Sequence, residues 1–344
     1  MPTKSIPRQS GLAAVAETLS KPGKFLVTGH LRPDGDAIGS ALALTRLLNQ
    51  AGHRAFFTAF KTQLGRPGFL EGCGRVVRPE DAARKRYDAW IALDCGTAGR
   101  LPEPLVPHAA RARVVNIDHH ATNTRFGAVN WVDPKASSTS ELVWRLARRM
   151  GWPLDRAAAE ALWVGLVTDT GRFAHEHVKP AALRFGADLL RHGVRTSFID
   201  DRVYTFVTPH AMALKRRAHK SFETWFDDRV ALISLTRGDF RETRTAKADA
   251  EDFIEIPRSL STARVALFFY ESESLRDNAT RLGIRTRAPL DATRLAARFN
   301  GGGHVRAAGC TLEMKLAEAM AAVKKALAEC YGLHDLKHEP PEHP

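Results

Sequence analysis

Cysteine is scarce in this sequence: its 344 residues hold four, Cys73, Cys95, Cys310 and Cys330, with no C-x-x-C pair among them. That scatter excludes a zinc ribbon and a disulfide framework, so the cysteines read as reduced thiols. Long apolar runs are missing too. No stretch of about 18 apolar residues occurs, so no membrane-spanning helix is expected. The N-terminus MPTKSIPRQSGLAAVAETLSK is basic but lacks the apolar core of a signal peptide, which makes the cytoplasm the expected compartment. Internal repeats and low-complexity segments are absent, which excludes solenoids and compositional tails. Acidic residues are the minority charge: 51 Lys and Arg face 38 Asp and Glu, for a net charge of +13 and a pI near 9.9. A basic excess attracts polyanions such as nucleic acid or nucleotides without specifying a fold.

What is present describes a folded protein of ordinary composition, 44% hydrophobic and 26% charged, long enough for two domains. In the first half, short apolar runs (FLVTG at 25–29, RAFFTAF at 54–60, WIALD at 90–94, RVVNID at 113–118) alternate with helical periods such as AIGSALALTRLLNQAG. That alternation predicts β–α–β units around a parallel sheet, an α/β layer. Helices then dominate from SSTSELVWRLARRM through DRAAAEALWVGLVTDTG to AALRFGADLLRHG, with Ser137, Ser138 or Thr139 as candidate caps and Gly151 and Gly193 as stops. The pattern predicts a domain over 1–193, a helical linker over 194–221, a smaller α+β domain over 222–335 and a frayed tail over 336–344. The smaller domain would contain strands VALISL, ARVALFFY and RLGIRTR, a helix at 291–299, a glycine-rich loop and a last helix near 314–331.

Four places in the first half put metal-type ligands at, or just after, the C-terminal end of a predicted strand or late in a helix. In open α/β sheets that edge is where ligands bind. In GHLRPDGDAIGS, strand FLVTG runs into His30, Asp34 and Asp36; Asp94 ends WIALD; Asp118-His119-His120 ends RVVNID; and Asp169 sits in LVTDTGRF. Taken singly, Asp94 could be a turn or cap residue, Asp169 a helix terminus and His119-His120 an exposed loop end. The first cluster resists such a reading, because three ionisable groups beside an apolar strand are costly without a compensating cation. If the four places converge, they supply four Asp carboxylates and two imidazoles, enough for two divalent cations sharing one ligand. Mixed N and O donors without thiolate suit Mn²⁺, with Zn²⁺, Co²⁺ or Fe²⁺ as alternatives. A pair of such cations serves in-line displacement at phosphorus.

In order and spacing, GHLRPDGDAIGS, ALDCG, IDHH and VTDTG resemble motifs I to IV of the DHH phosphoesterases, and NGGGHVRAAG at 300–309 resembles the glycine-rich signature of the accompanying DHHA1 domain. The resemblance covers roughly residues 20–332, and SSTSELVW is similar to the nanoRNase/pAp-phosphatase group. It implies a two-domain hydrolase with its active site in the cleft between the domains. The substrates would be short RNA or DNA oligonucleotides and small nucleotides such as pAp, cleaved by water activated between two metal ions. By the same resemblance His30, Asp34 and Asp94 hold one metal, and Asp36, Asp94, His119 and Asp169 the other, with Asp94 as bridge. Asp118 would orient a histidine or ligate directly. His120 would face the substrate, binding phosphate or protonating the leaving oxygen. Gly301, Gly302 and Gly303 permit close backbone approach to phosphate, and His304, Arg306 and Arg285 would grip anionic oxygens.

Other residues invite less. His175 and His177 have no third ligand nearby in sequence, Trp131, Trp144, Trp152 and Trp163 read as packing residues, and RETRTAK reads as a solvated face. Two alternatives stand beside the oligonucleotide hydrolase: a cyclic-dinucleotide or pApA phosphodiesterase, and a non-catalytic nucleic-acid-binding module. Whether the chain forms a homodimer is left open by the sequence.

Overall fold

The structure, a computed structural model, describes residues 9–175, 178–271 and 278–333; His177 and the expected tail at 336–344 lie outside them. The chain divides into two compact units, Met1–Phe206 and Val207–Pro344. Among the described residues no helix is long and apolar enough to cross a membrane.

The first unit begins with β1 (Gln9–Ser10), α1 (Leu12–Thr18), β2 (Lys24–Thr28), α2 (Gly35–Gln50), β3 (Arg54–Thr58), α3 (Pro79–Ala83) and β4 (Ala89–Leu93). It continues with α4 (Val106–Ala109), β5 (Val114–Asp118), β6 (Val129–Val132), α5 (Thr139–Met150), α6 (Arg156–Asp169), α7 (Pro180–Arg191) and α8 (Thr196–Asp200). Its six strands run in the order β1-β6-β5-β4-β2-β3, every neighbouring pair parallel. The strands expected at 25–29, 54–60, 90–94 and 113–118 are β2, β3, β4 and β5. Strands β1 and β6 were not expected, because segments of two and four residues are too short to display a period.

Strands β4 and β5 are buried at every position, as a parallel sheet covered on both faces requires. Alternate residues go to opposite faces: Val27, Ile91, Val115 and Ile117 pack with residues of α2, α5 and α6, while Leu26, Trp90, Ala92 and Val114 pack with Ala82, Leu101 and Leu105. Helices α2 and α6 meet at glycines. A Cβ on Gly39 would stand 2.2 Å from the Ala161 carbonyl oxygen, and one on Gly165 would stand 2.0 Å from Ser140 Oγ and 2.6 Å from Asp36 Oδ1. The absence of these two side chains is what lets Asp36 lie against the start of α5.

The second unit contains α9 (Pro209–Lys220), β7 (Glu223–Trp225), β8 (Val230–Leu235), α10 (Arg237–Thr243), α11 (Glu255–Arg258), β9 (Val265–Tyr270) and β10 (Thr280–Thr286). After them come α12 (Ala292–Ala297), β11 (Gly302–His304), β12 (Ala307–Leu312) and α13 (Leu316–Tyr331). The mixed six-stranded sheet runs β11-β12-β10-β9-β8-β7, with only β8 and β9 parallel. On β10 burial alternates strictly: Leu282 and Ile284 join the core with Leu295, Val323 and Leu327, while Arg281, Gly283 and Arg285 occupy the other, half-exposed face. The stretch read as a glycine-rich loop is a hairpin, in which Gly302, Gly303 and His304 form edge strand β11 against Gly309, Ala308 and Ala307. Glycine makes this pairing feasible: Gly303 has φ +148°, and a Cβ there would stand 2.4 Å from the Ala307 carbonyl oxygen.

Gly165→Ala should lower stability by about 1–3 kcal/mol through overpacking against Ser140 and Asp36. Urea titration in EDTA checks this, and an unchanged midpoint would show that the α2–α6 contact adapts freely.

Candidate metal centre

The first unit's sheet delivers its chemistry at the C-terminal edge. His30 follows β2, Asp94 follows β4, Asp118 ends β5 with His119 and His120 next, and Asp169 ends α6. Asp34 is the N-cap of α2: its Oδ1 accepts from the amides of Asp36 at 3.1 Å and Ala37 at 3.0 Å, while Oδ2 lies 3.7 Å from His30 Nε2. The His30 ring donates from Nδ1 to the Leu31 carbonyl at 2.9 Å, which leaves the Nε2 lone pair facing Asp34 and Asp94. Arg100 brings its Nη2 within 3.2 Å of the same Nδ1, a contact that competes with the carbonyl because a guanidinium only donates.

Asp94 sits where the two halves of the cluster meet. Its backbone is left-handed (φ +54°), a conformation that Asp and Asn adopt more readily than other side chains. Its amide donates to the Ile117 carbonyl at 3.0 Å, and its carboxylate accepts from Thr139 Oγ1 at 3.0 Å. Asp94 Oδ2 is 3.7 Å from His30 Nε2, and Oδ1 is 3.6 Å from His119 Nε2. His119 Nε2 in turn lies 3.4 Å from Asp169 Oδ2.

Helix α5 supports the cluster from below. Its local N-cap is Ser138, whose hydroxyl accepts from the Glu141 amide at 3.1 Å, while Glu141 accepts from the amide and hydroxyl of Ser137. The next free amides, those of Thr139 and Ser140, donate to the Asp36 carboxylate at 2.6 and 2.9 Å. The start of a helix carries partial positive charge, so α5 partly offsets a carboxylate that is only 1% exposed.

Three triads result, each with one donor atom per residue within 4.8 Å of the others: His30, Asp34 and Asp94; Asp36, His119 and Asp169; and Asp94, His119 and His120. Asp118 belongs to none of them. Fully buried, it accepts from the His119 amide at 2.8 Å and from His120 Nδ1 at 2.7 Å, and Asn123 donates to its other oxygen. Burial alone would raise its pKa, but these hydrogen bonds hold the Asp118 carboxyl below the ordinary range, and Asp118 holds His120 protonated above its own.

Elsewhere in the cluster charge is uncompensated. Burial and the neighbouring Asp36 push Asp94 well up, and the same two causes take Asp169 to about 8. Burial also raises Asp36, although His119 and Ser140 oppose the shift. Such a donor set fits divalent cations, whose charge would let these carboxylates ionise together. Thiolate does not compete: burial keeps Cys95, the residue after Asp94, a thiol with a pKa of about 12.

Bifunctional oligoribonuclease and PAP phosphatase NrnA of Thermus thermophilus is 31% identical over 319 residues, covering 92% of this chain and 93% of its own. The model of the DHH family, N-terminal domain, matches residues 24–166. This chain belongs to the DHH family. The Bacillus subtilis protein of the same name is 26% identical over 300 residues, 86% of this chain and 91% of that one. The crystal structure of an exopolyphosphatase-related protein from Bacteroides fragilis superposes with a TM-score of 0.85 at 27% identity, covering 94% of this chain and 97% of the other. As a DHH family protein the chain is a hydrolase of phosphoester bonds.

The residues expected to grip substrate lie in the second unit. Cross-strand register puts His304, Ala307 and Arg285 in one row over β11, β12 and β10, so their side chains share a face, with a small alanine between the two cationic positions. Arg285 is half-buried, which lowers its pKa, and it spends one N–H on the Ile284 carbonyl. Arg306, exposed between β11 and β12, donates to the Leu290 carbonyl. Gly301 precedes β11; Gly302 and Gly303 lie within it. Arg281 shares the Arg285 face and was not singled out from the sequence, nor were Asn123 and Arg100 of the first unit, and Thr139 was read only as a candidate cap. The SSTS run was visible as a cap, but nothing in it announces that its amides serve Asp36. Asn123 carries no signal at all.

The sign of the pH effect follows from Asp169. Its ordinary pKa of 3.8 rises to about 8 on folding, so the stability linked to its protonated form is fully present below about pH 4 and is lost as pH rises through 8. In EDTA the melting temperature should therefore fall between pH 5.5 and 8.5, and Mn²⁺ should raise it more at the higher pH. Asp94→Asn keeps the left-handed backbone and removes a buried carboxyl whose ionisation burial and Asp36 oppose. It should raise the metal-free melting temperature by about 2–4 °C and abolish the Mn²⁺ response.

Proposed function

We propose that this protein is a cytoplasmic, manganese-dependent hydrolase that degrades short oligoribonucleotides to mononucleotides and converts 3′-phosphoadenosine 5′-phosphate to AMP. The observation that carries the reading is the position of Asp94, with one carboxylate oxygen toward His30 and the other toward His119, so that Asp94 is common to the His30/Asp34/Asp94 and Asp94/His119/His120 triads. The proposed ligands are His30, Asp34 and Asp94 for one cation and Asp36, Asp94, His119 and Asp169 for the other. Two divalent cations bound there would supply Lewis acidity for the attacking water and for the phosphate. Oxygen and imidazole donors without thiolate favour Mn²⁺ over softer ions.

The protein's own groups do the rest. In this reading His120, whose pKa Asp118 raises and whose side chain is 46% exposed, gives its proton to the leaving oxygen. Arg285, Gly301, Gly302, Gly303, His304 and Arg306 hold terminal phosphate in this reading, which explains a preference for chain ends. The division into 1–193, 194–221 and 222–335 belongs to the same proposal. Similarity over most of the chain to two proteins named as oligoribonuclease and PAP phosphatase supports the substrate class.

A turnover panel in Mn²⁺ with pAp, pApA, a 3-mer and a 24-mer RNA tests the reading, with Asp94→Asn as blank. Fast turnover of pAp and the 3-mer with little on the 24-mer is expected; turnover of pApA alone, or of nothing, would overturn it. His120→Ala should lower kcat by about 10²–10⁴. Asp118→Asn should move the alkaline limb of the kcat profile to lower pH, because His120 then loses the carboxylate that holds its proton.

A further inference from the structure

A second cationic feature stands on the same sheet edge, outside the cluster. After β3 the chain makes a tight turn at Lys61–Gln63, and residues 76–78 return beside β3, where the Val77 amide donates to the Phe57 carbonyl at 2.9 Å. Between that turn, this segment and α3 lies a cavity of about 470 Å³. Its charged lining is Lys61, Arg78, Arg84 and Lys85 against a single carboxylate, Asp81. Asp81 is already taken, since Arg78 Nε donates to it at 3.0 Å. Lys61 donates to the Gly74 carbonyl at 3.1 Å, and Arg84 and Lys85 share with Arg78 the field of the one carboxylate, Asp81, so that positive charge remains in excess along the lining. Val76 and Val77 supply an apolar floor, and no aromatic ring lines the cavity.

The groove is tied to the metal centre. Strand β3 pairs with β2 in register, Thr28 beside Thr58, so the groove opens one strand over from His30. Gln63 at the end of the turn accepts from the Arg32 amide at 3.0 Å, and Arg32 lies between His30 and Asp34 in the chain. That bond holds Arg32 in a left-handed conformation (φ +55°) with its exposed side chain in the loop that joins the two features.

We propose that this groove is an accessory subsite for the backbone phosphates of an oligoribonucleotide whose reacting phosphate lies at the metal centre. The inference rests on the hydrolase reading above and extends it by naming what holds the remainder of the substrate. Lysine and arginine without stacking rings recognise phosphate and ignore base identity. The groove therefore favours substrates long enough to reach it, whatever their sequence, and contributes nothing to a mononucleotide such as pAp.

The test compares wild type with a Lys61→Glu/Arg84→Glu double variant, neither position being one of the proposed metal ligands. Expected is a loss of about tenfold or more in kcat/KM for a 5-mer RNA, with pAp changed less than twofold. The slope of log KM for the 5-mer against log salt should fall by about 1.4, two single-strand phosphate contacts at about 0.7 each. An unchanged 5-mer to pAp ratio, or an equal loss on both, would overturn the subsite. If wild type turns over neither substrate, the hydrolase reading fails by itself. The subsite is then judged by fluorescence anisotropy of a labelled 5-mer in EDTA, where equal affinity of wild type and variant would reject it.

Discussion

Carboxylates buried side by side repel one another, and the first unit is organised around that constraint. Asp36, Asp94 and Asp118 are at most 3% exposed, and Asp169 is close by. Each has a different arrangement to live with. Asp118 accepts from His120 and Asn123, Asp36 from two amides at the start of α5, and Asp94 has a hydroxyl from Thr139 and three imidazoles within 4 Å. What is left over, read in the raised pKa of Asp94 and Asp169, is a deficit of positive charge of the kind a divalent cation fills.

Backbone geometry serves the same end. The left-handed Asp94 turns its carboxylate between β2 and β5, and glycines at 39 and 165 allow α2 and α6 to close on each other and on α5. The left-handed backbone at Asp94 is held by a surrounding sheet buried on both faces, and the glycines keep the α2–α6 contact closely packed. The second unit solves a separate problem with an edge hairpin whose glycines leave the backbone bare beside a row of basic side chains.

Much of this was legible in the chain. The parallel sheet could be read from apolar runs of about strand length separated by helical periods, and the core strands β2 to β5 fall where those runs lie. His30, Asp34, Asp36, Asp94 and His119 stand at or just after strand ends in the sequence, where the sheet rule puts ligands, while Asp169 stands late in a helix and joined the expected ligand set through the family resemblance. Strands β1 and β6 escaped because two and four residues carry no period, and the glycine hairpin because Gly302, Gly303 and Gly309 have no side chains to alternate.

Local order and the identity of the charged groups are thus properties of the sequence by itself, since hydrophobic period and residue chemistry are written position by position. Which partner each carboxylate has is a property of the tertiary structure alone. Asp36 meets the amides of Thr139 and Ser140 across more than a hundred residues, and Arg285 shares a row with His304 only through the register of three strands. Such pairings depend on how helices and strands are stacked, and stacking is set by the packing of the whole core.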